Sequence, residues 1–171
     1  MSTVLRVFGP FEISCQKSPK GPQKHIGQKH AKAFWNQQPS PYATKQGCYV
    51  FVLKAGRGYT PWYVGKTTKS FKQECFTTDK LGKYNASLFQ QQQGRPMLFL
   101  VAPGGSKNKV PTKIVGDVEG FLTQQGRQEN PRIMNKRNAR LPEWGIKGVL
   151  RGGKGKPQRF ETAFAKMMGL R

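Results

Sequence analysis

Residues 47–65 read GCYVFVLKAGRGYTPWYVG, and the rest of the chain is best read outward from them. Residues 48–54 form a β-branched and aromatic run, 55–61 carry Gly and Pro, and 62–65 resume the β-rich pattern. Two such runs around a turn predict a hairpin, with Tyr49 on one strand and Tyr63 on the other. Downstream, residues 69–76 suit a short helix. Leu81, Tyr84, Leu88 and Phe89 give the apolar stripe of a second helix, which Arg95-Pro96 ends. PMLFLVA, residues 96–102, has the profile of a buried third strand. Ile114, Val118, Phe121 and Leu122 recur at helical spacing between Thr112 and Gly126, so Glu119 rides on a helix beside its apolar face.

Upstream, residues 3–14 alternate as a short strand anchored by Val4, Val7 and Phe11. The Lys-, Pro- and Gly-rich stretch Gln16 to Lys29 reads as a mobile basic loop. A helix over 31–36 brings Phe34 and Trp35 to the body, and Pro39 and Pro41 punctuate the entry to the hairpin. Beyond Asn130 the chain is loop-rich, with Ile133, Met134, Leu141, Trp144 and Ile146 as packing residues. RGGKGKPQR then leads to a final helix over 160–168. The fold class is α+β: a domain over 47–136, a basic N-terminal extension over 1–46 and a basic C-terminal extension over 137–171.

Thirty Lys and Arg against eight Asp and Glu give a net charge of +22, a self-repelling surface that suits a polyanionic partner, nucleic acid first. A ribosome-associated protein or a binder of anionic membrane surfaces shares this composition. No apolar stretch is long enough to span a bilayer, and the N-terminus lacks the order of a signal peptide, so a cytoplasmic or nucleoid location and no membrane partner are expected. Cys15, Cys48 and Cys75 form no CxxC pair and read as free thiols. Cys15, His25 and His30 lack a fourth zinc ligand at suitable spacing. Lys154 and Lys156 are followed by Gly155 and Pro157, which breaks the phosphate-loop pattern. Of the few carboxylates, Asp117 and Glu119 are the nearest pair in sequence. Two residues apart on a helix they diverge by about 200°, which favours a one-metal site.

Gly47-Cys48-Tyr49 and Trp62-Tyr63-Val64-Gly65, on two strands of one hairpin, resemble the paired signatures of the GIY-YIG endonucleases. The resemblance covers residues 47–136. It implies a small three-stranded antiparallel sheet flanked by helices and hydrolysis of phosphodiester bonds, in DNA before RNA, with one Mg²⁺ (or Mn²⁺). Position by position, it implies that Tyr49 and Tyr63 are the signature tyrosines and that Lys66 is the lysine after the second signature. It also implies that Glu119 is the metal ligand and that Asn135 closes the site.

A phenol with a pKa near 10 is a poor base at neutral pH, but cations such as Lys66 together with a metal-bound water would favour phenolate and let Tyr49 activate water. The family's phosphate-binding arginine is missing from Lys69-Ser70-Phe71-Lys72-Gln73-Glu74-Cys75. Lys69, Lys72, Lys80, Lys83 and Tyr84 are the candidate replacements, although a lysine lacks the planar bidentate fork of arginine. The basic ends, Lys17 to Lys32 and Arg151 to Arg159 with Lys154 and Lys156, are expected to follow a phosphate backbone flexibly. The alternative is a non-catalytic nucleic-acid binder on a degenerate scaffold of the same kind.

Overall fold

A computed structural model of the chain describes residues 3–136, 146, 149 and 155–170, in two compact units, Met1–Ala139 and Arg140–Arg171. In the first, β1 (Leu5–Glu12), β4 (Gly47–Ala55), β5 (Gly58–Thr67) and β6 (Arg95–Pro103) form an antiparallel sheet in the order β1-β6-β4-β5. The hairpin β2 (Gln16–Lys17) and β3 (Lys24–His25) stands apart. Helices α1 (Gln28–Phe34), α2 (Phe71–Glu74), α3 (Thr78–Gln90) and α4 (Thr112–Glu129) complete this unit. In the second unit, α5 (Arg159–Met167) is capped by Glu161, whose carboxylate accepts from the Gln158 backbone N–H at 2.7 Å.

The sheet has four strands where three were expected, and residues 1–46 do not form a separate extension. β1 pairs with the free edge of β6, and β6 would otherwise present a row of unpaired backbone groups. The anchors of β1 also differ from those expected, because Val4 and Val7 are exposed. One extra residue bulges out between Phe8 and Phe11, opposite Leu100 and Leu98, so Phe8 and Phe11 land on the same core face.

β4 is the second strand inward from the β5 edge and is buried almost throughout, in keeping with its unbroken apolar run. Tyr49, Phe51 and Leu53 join Phe34, Phe71, Leu81, Tyr84 and Leu88 from α1, α2 and α3 in the larger core. Tyr84 stacks on Phe51 at 4.2 Å between ring centroids. A smaller core joins Cys48 to Val110 and Val115, with Ile114, Val118 and Leu122 of α4 against it. On α4, Val115, Glu119, Leu122 and Gly126 follow each other at three- and four-residue steps and share one face. Gly126 allows Ile133, Pro61 and Val64 to approach that face closely. Phe121, expected on the stripe, points about a third of a turn away and is exposed.

Two devices fix the borders of this unit. Buried Lys45 donates through Nζ to the carbonyls of Gly105 and Lys107, pinning the loop that leads from β6 into α4. On the outer edge of β5, Met134 N–H donates to Trp62 O, Asn130 Nδ2 to Pro61 O and Asn135 Nδ2 to Val64 O, while Asn135 Oδ1 accepts from Val64 N–H. The segment 130–135 therefore covers an edge that would otherwise template pairing with another chain.

Gly47 opens β4 at φ +149°, and a Cβ there would overlap the Val101 carbonyl of β6. Gly47→Ala should lower unfolding free energy by at least about 1–3 kcal/mol, read as a shift of the urea midpoint at unchanged slope.

Candidate functional site

The site grows from strand register. Tyr49 on β4 lies directly across from Gly65 on β5, and Phe51 across from Tyr63. The Tyr49 ring lies over Gly65 so closely that any Cβ at residue 65 would collide with it. Tyr49 and Tyr63 consequently face each other at 6.2 Å between centroids. Phe71 of α2 closes the Tyr49 ring edge-on at 6.4 Å.

Lys66 follows Gly65 and so turns to the other face of the sheet, where α4 packs. There its Nζ meets Glu119 Oε2 at 2.8 Å, with the carboxylate 16% exposed and the lysine 44%. Cys48 shares this face. Its thiol donates to Val115 O at 3.4 Å, and burial, reinforced by the Glu119 charge, pushes its pKa up to about 12. Cys48 is therefore a packing thiol rather than a nucleophile at neutral pH. Although Glu119 belongs to the α4 face, its charge also acts on both phenols, raising each.

The electrostatics of the two tyrosines differ from the expectation drawn for Tyr49. Burial pushes the Tyr49 phenol far above its ordinary value, and Cys75, Tyr63, Glu74 and Glu119 all push the same way. Among the described residues no cation draws it toward phenolate. Its hydroxyl is buried with no hydrogen-bond partner among the described residues. Tyr63 is also raised, again mainly by burial, but Lys83 opposes the shift. Lys83 Nζ stands 5.0 Å and Lys80 Nζ 5.8 Å from the Tyr63 ring centroid. Asp79 holds both lysines, at 2.7 and 3.3 Å.

Tyr49 and Tyr63 thus meet on one face of β5 and Lys66 and Glu119 on the other, while Lys80 and Lys83 stand over the Tyr63 ring. The other expected site residues lie elsewhere. Tyr84 is fully buried and donates to Cys75 O at 2.7 Å, which leaves it no access to a phosphate. Lys72 lines a cavity of about 150 Å³ with Gln28, Lys32 and Trp35, facing α1. Lys69 is exposed in the turn before α2, where its N–H donates to Thr67 Oγ1. Both amide atoms of Asn135 are committed to the Val64 backbone. Lys156 is exposed in the second unit, and Lys154, Leu141 and Trp144 lie outside the described residues.

Sequence reasoning undervalued Glu74. It sits three residues after Phe71 on α2, is half-buried, and has no salt-bridge partner among the described residues despite the excess of cations. The i, i+3 spacing from an apolar residue was the available signal. The i, i+4 pair of Asp79 with Lys83 was an equally local sign that this part of α3 is organised.

Among the described residues no group of three or more His, Cys, Asp or Glu side chains could hold a metal ion. Glu119 offers a single carboxylate, one oxygen of which is held by Lys66 at 2.8 Å, so the described residues do not make a fully protein-ligated metal site. Comparison of the chain with protein-family models, curated proteins and solved structures finds no significant match.

Two measurements test this description. Tyr49→Phe removes a buried hydroxyl that has no partner, so it should leave stability unchanged or raise it by up to about 1–2 kcal/mol, as judged by urea unfolding. Alkaline titration followed by phenolate absorbance supplies the second. Tyr49, Tyr63 and Tyr84 all have pKa values raised by burial, so the neutral phenols are favoured in the folded state. Their contribution to stability is complete below the unfolded pKa of about 10 and is lost as pH rises beyond it. Tyr49 and Tyr84 should therefore ionise only together with unfolding, and Tyr63 above the ordinary phenol range. Ionisation of Tyr49 in the folded protein near pH 10 would contradict the burial described.

Proposed function

We propose that the protein is a metal-dependent endonuclease that hydrolyses phosphodiester bonds in nucleic acid, DNA before RNA, through a site of the GIY-YIG kind. The observation that carries this reading is the placement of charged and phenolic groups on either side of Gly65. In a chain with net charge +22, Tyr49 and Tyr63 with Lys80 and Lys83 stand on one face of β5, and the Lys66–Glu119 pair stands on the other. A polyanion is the natural occupant of such a surface, and a phosphate is the group that lysines at this spacing would neutralise.

Within the reading, Glu119 holds one Mg²⁺ or Mn²⁺, which supplies Lewis-acid stabilisation of the charge that develops on the scissile phosphate. Lys66 is the cation beside that carboxylate, and Lys80 and Lys83 take the place of the absent arginine as point charges. Tyr63 orients the attacking water from the lysine side. Tyr49, buried as fully as Tyr84, is a neutral phenol that packs against Tyr63 from within the core and positions it. In-line attack of water would form the new P–O bond as the bond to the sugar 3′ oxygen breaks, the proton lost by the water balancing the one that the 3′ oxygen takes up from solvent.

The second reading, a nucleic-acid binder without chemistry, draws on two observations. Burial, reinforced by neighbouring acidic groups, drives Tyr49 away from phenolate, and Lys66 already occupies one oxygen of Glu119. Labelled duplex, single-stranded, flapped and branched DNA, and RNA, incubated with Mg²⁺ or with EDTA, separate the two. Cutting should require the metal and fall by at least about 10²-fold in Glu119→Gln, with the circular dichroism spectrum unchanged. A folded Glu119→Gln variant that cuts at the parent rate rejects the mechanism. Steeply salt-dependent binding with no metal-dependent product selects the second reading.

A further inference from the structure

The basic stretch expected as a mobile loop is an anchored hairpin with a groove beneath it. Gln16 pairs with His25 and Lys17 with Lys24, and Ser18 N–H donates to Gln23 O across the turn at 2.7 Å. Asn85 of α3 holds the strand exit from both sides, its Oδ1 accepting from Ile26 N–H at 2.8 Å and its Nδ2 donating to Ile26 O at 3.0 Å. Lys24 Nζ donates to Gly94 O at 2.8 Å, tying the hairpin to the chain beyond α3. Between hairpin and helix lies a cavity of about 400 Å³, with Gln16, Lys17, Gln23, His25, Asn85 and Phe89 in its wall.

Three features of this groove point the same way. Phe89 is 64% exposed although the spacing of α3 suggested a core residue, so an aromatic face stands open in a wall already held rigid. The wall contains no carboxylate, and the sequence contains none between Glu12 and Glu74. The exposed amides of Gln16 and Gln23 and the imidazole of His25 add polar groups. The volume falls in the range of small-ligand clefts, about 300–1,000 Å³, and holds a single nucleotide rather than a duplex.

We propose that this groove is a subsite for one unpaired nucleotide of a nucleic-acid strand, its base stacked on Phe89 and its phosphate beside Lys17. Any base offers a π-face, so stacking of this kind tolerates sequence, while the lysine follows the backbone. The rigid hairpin supplies pre-organisation, since neither wall must be ordered on binding. The subsite rests on the nucleic-acid-binding part of the function proposed above and is independent of hydrolysis.

The test uses the full chain in EDTA with two fluorescent probes, an oligothymidylate of about 15 nucleotides and a blunt duplex of the same length. Phe89→Ala should weaken oligothymidylate binding about tenfold and leave duplex affinity and the salt slope of binding unchanged, and Phe89→Trp should restore the single-strand affinity. Because Phe89 is exposed, loss of fold is not expected, and circular dichroism checks it. Lys17→Ala should reduce the salt slope for oligothymidylate by about one. Equal binding of oligothymidylate by Phe89→Ala and the parent overturns the subsite while leaving nucleic-acid binding intact. Parallel loss for duplex and single strand also overturns it, since base stacking would then not be what Phe89 supplies. A parent protein that binds neither probe rejects the subsite and the nucleic-acid reading together.

Discussion

The pairing of Tyr49 with Gly65 across β4 and β5 is the contact on which the candidate site depends. Opposed residues in an antiparallel pair share a face, and a slip of one residue would send Tyr49 to the side of α4 and Lys66 to the side of the phenols. Gly65 leaves room for the Tyr49 ring to lie across β5 within the larger core. The edge strand β5 carries candidate groups on both of its faces. Tyr49 and Tyr63 come from one side, Lys66 and Glu119 from the other. The edge itself is occupied by the backbone contacts of 130–135.

Charge is distributed around this point in a way the overall excess of cations does not convey. The carboxylates near the phenols act as organisers of lysines: Glu119 holds Lys66, and Asp79 holds Lys80 and Lys83. The pairs of exposed Asp79 contribute little to stability, but they set where cations stand relative to Tyr63. The Tyr49 hydroxyl is different in kind. A buried polar group without a partner is destabilising, and the Glu74 and Glu119 charges add to burial in keeping this phenol neutral.

The N-terminal region shows how tertiary pairing changes the meaning of a segment. Residues 1–46 are rich in Lys, Pro and Gly and read as an appendage, yet β1 completes the sheet, α1 brings Phe34 and Trp35 into the larger core, and Asn85 clamps the basic hairpin. Glycine and proline signal turns locally. They carry no information on whether a turn is held by a distant side chain.

The sequence by itself determined the elements with strong local signals. The β4–β5 hairpin, β6, α3 and α4 follow from β-branched runs, turn residues and helical periodicity, and Tyr49, Tyr63, Lys66 and Glu119 are visible as residue types in a recognisable order. It also determined that Gly47 and Gly65 are glycines, although why each must be one depends on a strand or ring approaching from elsewhere. Only the tertiary structure decided the fourth strand, the inversion that exposes Val7 and packs half-buried Phe8 against the core, the exposure of Phe89 and Phe121, the burial of Tyr84 and the commitment of Asn135 to the β5 edge. It likewise decided that burial and acidic neighbours, rather than cations, surround Tyr49. These outcomes turn on contacts between residues tens of positions apart, where burial and electrostatics depend on distance in space, and periodicity along the chain records neither.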